Sequence, residues 1–181
     1  MKWLDYRLQR ERTRRVVPYV SKGARVLDIA CADGALFRVL GDRLGAGVGI
    51  DLDPVPQSTA RYGFIQGSFP SALPPSEPFD VVAALAVLEH IPASDQPGFA
   101  AGCAKALRGG GRLVVTVPSR RVDDVLNVLR AVRLVDGMSL EQHHGFDPAH
   151  TVPLFERAGL VLERQAHFQL GLNNLFVFRK P

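Results

Sequence analysis

The stretch "ARVLDIACADGALF", residues 24–37, decides the fold of this chain. Its first half is a short apolar run of the kind that forms a buried strand, and its second half has the apolar spacing of a helix. A strand that turns tightly into a helix presents free backbone N–H groups and the positive end of a helix dipole, which suit an anionic ligand group. Dinucleotide-binding proteins place GxGxxG at such a turn. Here alanine stands at positions 30 and 32, and only Gly34 remains.

Strands and helices alternate along the first two thirds of the chain. Strands are predicted at 24–30, 47–51, 62–68 and 111–118, with a further strand within 79–88, and helices at 34–45 and 97–107. This alternation predicts an α/β fold with a doubly wound parallel sheet that is covered on both faces. The glycine turn "RGGGR" (108–112) is interpreted as a connection between a helix and a strand, because it does not open a helix.

The pattern changes after residue 118. Helices are predicted at 122–137 and 148–159. Two strands follow, at 160–168 and 174–180, and they are expected to form an antiparallel hairpin at the end of the sheet. No repeat or linker divides the chain, so a single domain is predicted.

The composition is typical of one globular domain. Of the 181 residues, 46% are hydrophobic and 22% are charged, a usual balance for this size. No apolar run approaches the roughly 20 residues that span a bilayer, and residues 1–15 hold no apolar signal segment, so a cytoplasmic protein without a membrane partner is predicted. Cys31 and Cys103 have no second ligand at metal-binding spacing, and no metal site is predicted.

The charge is unevenly distributed. Residues 1–25 hold eight Lys or Arg and two acids, within a chain whose net charge is +4. Such a segment is able to bind nucleic acid or an anionic surface. However, Trp3, Leu4, Leu8 and Val16 give it an apolar side, and no aromatic platform is interleaved with the arginines. A solvated amphipathic helix that covers one end of the domain is therefore preferred, and no nucleic-acid partner is expected.

Six segments in order resemble the class I S-adenosylmethionine-dependent methyltransferases, in particular the compact, small-molecule, type 11-like members. The family motif VLDxGxGxG is similar to "VLDIACADG" (26–34), and further motifs resemble "GIDLDP" (49–54), "FIQGSF" (64–69), "FDVVAALAVLEHI" (79–91), "LRGGGRLVVTVP" (107–118) and "FERAGLVLERQ" (155–165). The resemblance implies one methyltransferase domain over 1–181, with an N-terminal helix at 1–20 and a substrate cover at 119–150.

The same resemblance implies the architecture and the activity. The fold would be a Rossmann-like, mostly parallel sheet of seven strands with an antiparallel C-terminal hairpin. The cofactor would be S-adenosylmethionine, whose methyl group would pass to a small-molecule acceptor by in-line displacement. The protein would mainly hold the donor sulfur, the methyl group and the acceptor in a line.

The resemblance also assigns the cofactor site, position by position. Asp51 ends the strand that follows Asp28 in the chain and would hold the ribose hydroxyls, with Leu52 packed on the adenine. Ser68 and Phe69 would flank the other edge of the adenine; the family commonly has Asp in place of Ser68, so weaker cofactor binding is expected here. The positions implied to border the methionine and ribose portions or the floor of the site are Asp28, Ala30, Cys31, Ala32, Gly34 and Leu85. Capping of a turn is the alternative role for the two aspartates.

The alanines are the main departure from the family pattern. Glycine tolerates a positive φ and the close approach of a ligand, whereas a Cβ resists both, by about 1 kcal/mol or more per left-handed position. Because Ala30 ends a strand, a negative φ is expected there. Ala32 does not end a strand, so its Cβ either strains the backbone at a positive φ or narrows the cofactor pocket. A degenerate, non-catalytic binding or regulatory module with the same fold therefore remains the alternative function.

Three histidines are candidate general bases. A base is needed only when the acceptor is a weak nucleophile such as a hydroxyl, and histidine titrates near neutral pH. His90 lies in "LEHI" after the fourth strand, and His143 and His144 lie in "EQHHGF" before the last helix. The family places both segments near the acceptor. Capping or loop packing stays open for each histidine, and only one of the adjacent pair is expected to face the pocket.

Two other enzyme classes fit the sequence less well. A nicotinamide-dependent dehydrogenase would share the alternating pattern, but GxGxxG and a hydride site are missing. A nucleic-acid methyltransferase would place a segment similar to "NPPY" after the fourth strand, where this chain reads "ALAVLEH".

Overall fold

The computed structural model describes residues 3–119 and 147–181, which form one seven-stranded sheet with helices on both faces. The strands are β1 (Ala24–Ile29), β2 (Leu44–Asp51), β3 (Tyr62–Gln66), β4 (Phe79–Leu85), β5 (Leu107–Pro118), β6 (Val161–Phe168) and β7 (Asn173–Arg179). The helices are α1 (Trp3–Val16), α2 (Ala35–Leu40), α3 (Gln96–Ala106) and α4 (Thr151–Arg157). The helix expected at 122–137 lies outside the described residues.

The strand order confirms the expected doubly wound sheet. It runs β3-β2-β1-β4-β5-β7-β6, and β7 is antiparallel to both of its neighbours. The other described pairs are parallel, with β1 between β2 and β4. The order of the strands therefore reverses between β1 and β4. In sheets of this kind, ligands bind at the carboxyl ends of the strands at that reversal point.

Each face of the sheet carries its own apolar core. On one face, Phe99 and Cys103 of α3 and Phe155 of α4 are buried against residues of β1, β4 and β5. On the other face, Val16 of α1 and Phe37 of α2 pack against the opposite side chains of the same strands. Both faces of β1 and β4 are thus buried, which explains why these strands are apolar without alternation.

Two predicted boundaries were wrong. Helix α2 ends at Leu40 rather than near residue 45, because Gly41 has a φ of +51° and the chain continues through a 3-10 turn into β2. The "RGGGR" stretch belongs to β5 rather than to a connection. Gly110 N–H donates to Lys180 O at 2.9 Å, and Lys180 N–H donates to Gly111 O at 2.9 Å. Because the pairing partner lies far along the chain, at the end of β7, the local sequence does not predict this pairing.

The N-terminal segment forms the expected helix. Helix α1 ends at Val16, before a 3-10 turn over Val17–Tyr19 that contains Pro18. Thr13 and Val16 are buried, whereas Arg10 and Arg14 are exposed. Among the helices of the described ranges, none combines the length and the apolar character needed to cross a membrane.

Candidate cofactor site

Three residues of the loop between β1 and α2 have the left-handed backbone conformation. Ala30, Ala32 and Gly34 have φ values of +56°, +44° and +72°. The expectation of a negative φ at Ala30 was therefore wrong. The N–H groups of Ala30 and Cys31 both donate to Ile50 O, at 2.8 and 3.3 Å. The chain turns around this carbonyl of β2 directly after Ile29, so the extended conformation has already ended at residue 30.

Asp51 closes the loop from the neighbouring strand. Its Oδ2 accepts from Ala32 N–H at 2.7 Å, and its Oδ1 accepts from Asp53 N–H at 3.0 Å. The capping role left open from the sequence is therefore real. A carboxylate has about four acceptor sites, so each oxygen keeps capacity for one further donor. Capping and binding of ribose hydroxyls are thus compatible.

A cavity of about 200 Å³ opens beside Asp51. It lies where β1, β2 and β4 end, at the reversal point of the sheet. Five of the ten predicted cofactor residues line this cavity, namely Ala30, Asp51, Leu52, Ser68 and Phe69, together with the candidate base His90. Leu52 is 71% exposed in the described part of the chain.

The other predicted cofactor residues lie outside the lining of this cavity. Cys31 and Gly34 are packed beneath the loop: a Cβ at Gly34 would lie 2.7 Å from the Phe64 ring. Leu85 packs in the core on the α1 and α2 face, opposite to the apolar side chains of the cavity. Asp28 is buried near the end of β1, and Ala32 is an exposed residue of the loop that follows. His143 and His144 lie outside the described residues, so their role stays a prediction.

Burial and neighbouring acids control the titration of the loop. Burial, with smaller contributions from Asp51 and Asp33, raises the pKa of Asp28 from 3.8 to about 8. Burial and Asp28 raise the pKa of the Cys31 thiol to about 12. Because a thiol with such a pKa stays protonated near neutral pH, Cys31 is not an activated nucleophile. This agrees with its interpretation as a small buried residue.

The wall of the cavity that follows β4 was not predicted from the sequence. Ala86, Val87 and Ile91 line it, and Phe99 of α3 closes it from below. Ala86 has a φ of +57°, and its N–H is held by Thr116 O at 2.9 Å and by Thr116 Oγ1 at 3.1 Å. The sequence did contain one indication of this wall. In any doubly wound sheet the end of β4 lies beside the end of β1, so the residues that follow both strands should contact the same ligand.

Comparison with known families agrees with the fold. The family model for a methyltransferase domain matches residues 2–165. The chain therefore belongs to the methyltransferase domain family, and its fold is that of the class I S-adenosylmethionine-dependent members.

Individual relatives are more distant. The chain is 33% identical, over 165 residues, to a ubiquinone biosynthesis O-methyltransferase of Xylella fastidiosa (strain 9a5c), with 80% of this chain and 66% of that protein covered. The chain thus spans a little under two thirds of the length of this relative. The structure resembles a 1,6-didemethyltoxoflavin-N1-methyltransferase of Burkholderia thailandensis, solved with S-adenosylhomocysteine, at a TM-score of 0.75 and 18% identity, covering 98% of this chain and 80% of that one.

A second solved structure supports the same fold. It is a TehB-like SAM-dependent methyltransferase of Corynebacterium glutamicum, with a TM-score of 0.70 and 21% identity, covering 94% of this chain and 87% of that one.

Replacement of the loop alanines by glycine is expected to stabilise the fold. Both Ala30 and Ala32 have a positive φ, which costs an L-residue about 1–2 kcal/mol, partly offset because glycine loses more freedom on folding. Ala30→Gly and Ala32→Gly should each raise the free energy of unfolding by about 0.5–1 kcal/mol, measured by urea denaturation. Ala35→Gly, at the first residue of α2, is the matched control and should lower it by a similar amount. Destabilisation by both loop variants would contradict the strain argument.

Asp28 should make the stability of the protein depend on pH. Its pKa is raised in the folded state, from 3.8 to about 8, so its contribution is complete below about pH 4 and is lost as the pH rises through 8. The loss amounts to at most about 6 kcal/mol. Asp28→Asn, which cannot ionise, should gain stability relative to the wild type between pH 4 and pH 8, with a constant difference at higher pH, measured by urea denaturation. Asp42→Asn, at an exposed side chain, should show no such divergence; parallel curves for Asp28→Asn would contradict the buried acid.

Proposed function

We propose that this chain is an S-adenosylmethionine-dependent methyltransferase that acts on a small-molecule acceptor. The observation that carries the proposal is the carboxylate of Asp51 at the edge of a cavity at the sheet's reversal point. An acid at the end of the second strand is suited to accept hydrogen bonds from both ribose hydroxyls. Membership in the methyltransferase domain family supports the same assignment.

The residues of the site fit the cofactor in shape. Ile50, Phe69 and Ile91 give the cavity apolar walls, and the exposed Leu52 adds an apolar surface beside Asp51. Ser68 would accept from the adenine amino group. The volume of about 200 Å³ is below the roughly 300–1,000 Å³ of most small-molecule sites. It therefore suits one end of the cofactor, and we assign the nucleoside end to it.

The residues also fit the cofactor in charge. Asp28, Asp33 and Asp51 lie close enough together for the two latter acids to raise the pKa of the first. S-adenosylmethionine carries a sulfonium and an ammonium group, so the carboxylates of Asp33 and Asp51 favour this ligand over a pyrophosphate. The same carboxylates repel the pyrophosphate of a dinucleotide, which is the ligand that a glycine-rich loop normally binds.

The chemistry of methyl transfer places few demands on the protein. When bound, the cofactor supplies a methyl group on a sulfonium, which the acceptor attacks in line. His90 is exposed and lines the cavity next to Val87 and Ile91, and we assign it the role of general base for a hydroxyl acceptor. His143 and His144 are the further candidates. Residues 1–20 and 119–150 are proposed as the cover over the acceptor, within a single domain of residues 1–181.

An oxygen acceptor is the favoured case. One relative is the ubiquinone biosynthesis O-methyltransferase of Xylella fastidiosa, and a second such enzyme, of Idiomarina loihiensis, is 29% identical over 152 residues. A hydroxyl acceptor also gives His90 a proton to remove. A cytoplasmic location remains a prediction from the sequence alone.

The degenerate module remains the second candidate. The observation that favours it is the positive φ of both loop alanines, since the Cβ of Ala30 occupies space in the lining of the cavity. In that case the chain would keep the methyltransferase fold but would not bind the cofactor. Binding of the cofactor therefore separates the two functions.

Binding of S-adenosylhomocysteine is expected to raise the thermal midpoint. A ligand present at 100 times its Kd stabilises the folded state by about 2.7 kcal/mol, or about 5–10 °C for a chain of this size. NAD should give no shift. Asp51→Asn should weaken the binding about 10-fold to 100-fold, because hydrogen bonds to a charged group are lost, whereas the neighbouring Asp53→Asn should bind as the wild type does. No shift at millimolar S-adenosylhomocysteine would support the degenerate module.

His90→Ala should separate turnover from binding. Loss of a general base lowers kcat by about 10²–10⁴-fold, while the affinity for S-adenosylhomocysteine should change less than about threefold. The assay follows S-adenosylhomocysteine release with an acceptor found by screening hydroxylated small molecules. His167→Ala, at an exposed histidine of β6, is the control and should keep full turnover. Equal losses of turnover and affinity would remove His90 from the role of base.

A further inference from the structure

The turn between β6 and β7 has an unusual sequence for its backbone conformation. Gln169 and Leu170 have φ values of +52° and +57°, and Gly171 N–H donates to Phe168 O at 3.1 Å. The central residues of such a hairpin turn are usually Asn and Gly, because a positive φ is costly for other side chains. Backbone strain of this kind persists where the surrounding structure holds it, and it is common at functional sites. Glutamine at position 169 therefore needs a reason outside the turn itself.

The side-chain amide of Gln169 joins this turn to helix α1. Its Nε2 donates to Leu8 O of α1 at 3.1 Å, and its Oε1 accepts from Asn173 Nδ2 at 2.6 Å. Because a carbonyl oxygen only accepts, Leu8 O determines which end of the amide faces the helix. Asn173, the first residue of β7, holds the other end. The half-buried side chain of Gln169 is thus fixed on both sides.

The residue before Gln169 contacts the same side of helix α1. The guanidinium carbon of Arg15 lies 5.0 Å from the centroid of the Phe168 ring, within the range of a cation–π interaction. Leu8 and Arg15 are about two helical turns apart, so they lie on one face of α1. The end of β6 therefore contacts α1 at two points along this face.

Helix α1 continues from the turn to the cofactor loop. Gln9, the residue after Leu8, donates from Nε2 to Asp33 Oδ1 at 3.4 Å. Asp33 follows Ala32, whose N–H is capped by Asp51. Strands β6 and β5 are both antiparallel to β7 and hence parallel to each other, so β6 ends at the same edge of the sheet as β1 and β4. Helix α1 therefore bridges the β6–β7 turn and the cofactor loop along this edge.

We propose that Gln169 is a positioning residue for helix α1: its amide ties the β6–β7 turn to Leu8 and thereby keeps Gln9 against the cofactor loop. Asn at this position would suit the turn better, but its amide would be one methylene group too short to reach Leu8 O. The contact with α1 does not depend on the proposed function. Its consequence for cofactor binding does. Gln169 acts through α1 and contacts no reacting atom.

The contact is tested first on the unliganded protein, by hydrogen–deuterium exchange at neutral pH. Gln169→Asn favours the positive φ and shortens the side chain. It should speed exchange of the amides of residues 8–12 about fivefold, as expected for the loss of one uncharged hydrogen bond. Leu170→Asn, at the exposed tip of the same turn, is the matched control: it also favours the positive φ but leaves the amide of Gln169 in place. It should keep the wild-type exchange in α1.

Two results would overturn the role of Gln169. Unchanged exchange of residues 8–12 in Gln169→Asn is one. Equal increases in Gln169→Asn and Leu170→Asn are the other, because they would show that the turn, rather than the amide, controls α1. If Gln169→Asn speeds exchange in β6 and β7 as well, the decision passes to Gln169→Met, which keeps the length of the side chain but has no N–H to donate. A local increase in α1 there supports the contact, and no local increase overturns it.

The consequence for the site is measured separately, by the dissociation of S-adenosylhomocysteine. Loosening of α1 should weaken the contact of Gln9 with Asp33, so the ligand should leave Gln169→Asn about fivefold faster, while Leu170→Asn should keep the wild-type rate. Equal rates in Gln169→Asn and the wild type would overturn the coupling to the cofactor loop. Absence of any binding by the wild type would instead overturn the proposed function, and the exchange results would still decide the contact.

Discussion

The structure of the site depends on how the end of β1 is held against β2. Three successive N–H groups, of Ala30, Cys31 and Ala32, point to the last two residues of the neighbouring strand, where Ile50 O takes two and the Asp51 carboxylate takes the third. Satisfying these donors forces the chain into a tight turn before α2. The left-handed residues, the opening beside β2 and the place of Asp51 at its edge all follow from this arrangement.

This arrangement explains why carboxyl groups, rather than glycines, surround the loop. A pyrophosphate needs bare N–H groups, but here Asp51 already satisfies the N–H of Ala32. The loop retains acceptors instead of donors, and Asp28 beneath it adds a further acid. Acceptors suit hydroxyl and ammonium donors of a ligand. The family's choice of a cationic nucleoside cofactor is therefore consistent with the hydrogen bonds of this loop, quite apart from its sequence motif.

The sequence predicted what depends on local pattern. The apolar runs located β1, β4, β6 and β7, and the spacing of Asp28 and Asp51 predicted that both acids lie by one loop. It failed where the cause was distant in the chain. Glycines 109–111 extend β5 because they pair with the end of β7, and Ala30 is left-handed because it turns around the carbonyl of Ile50. The apolar wall from Ala86 to Ile91 was missed because it follows from the shared edge of β1 and β4 rather than from a local pattern.

The alanines argue less strongly for a degenerate module than they do in the sequence alone. The objection to them was that a Cβ would prevent the glycine conformation, yet the loop holds that conformation with alanine at both positions. The positive φ therefore lowers the free energy of unfolding, by about 1–2 kcal/mol per alanine. Ala32 is exposed and does not line the cavity, so its Cβ takes no space from the nucleoside. Only Ala30 narrows the site, by one methyl group, which reduces the room for the ligand without displacing Asp51.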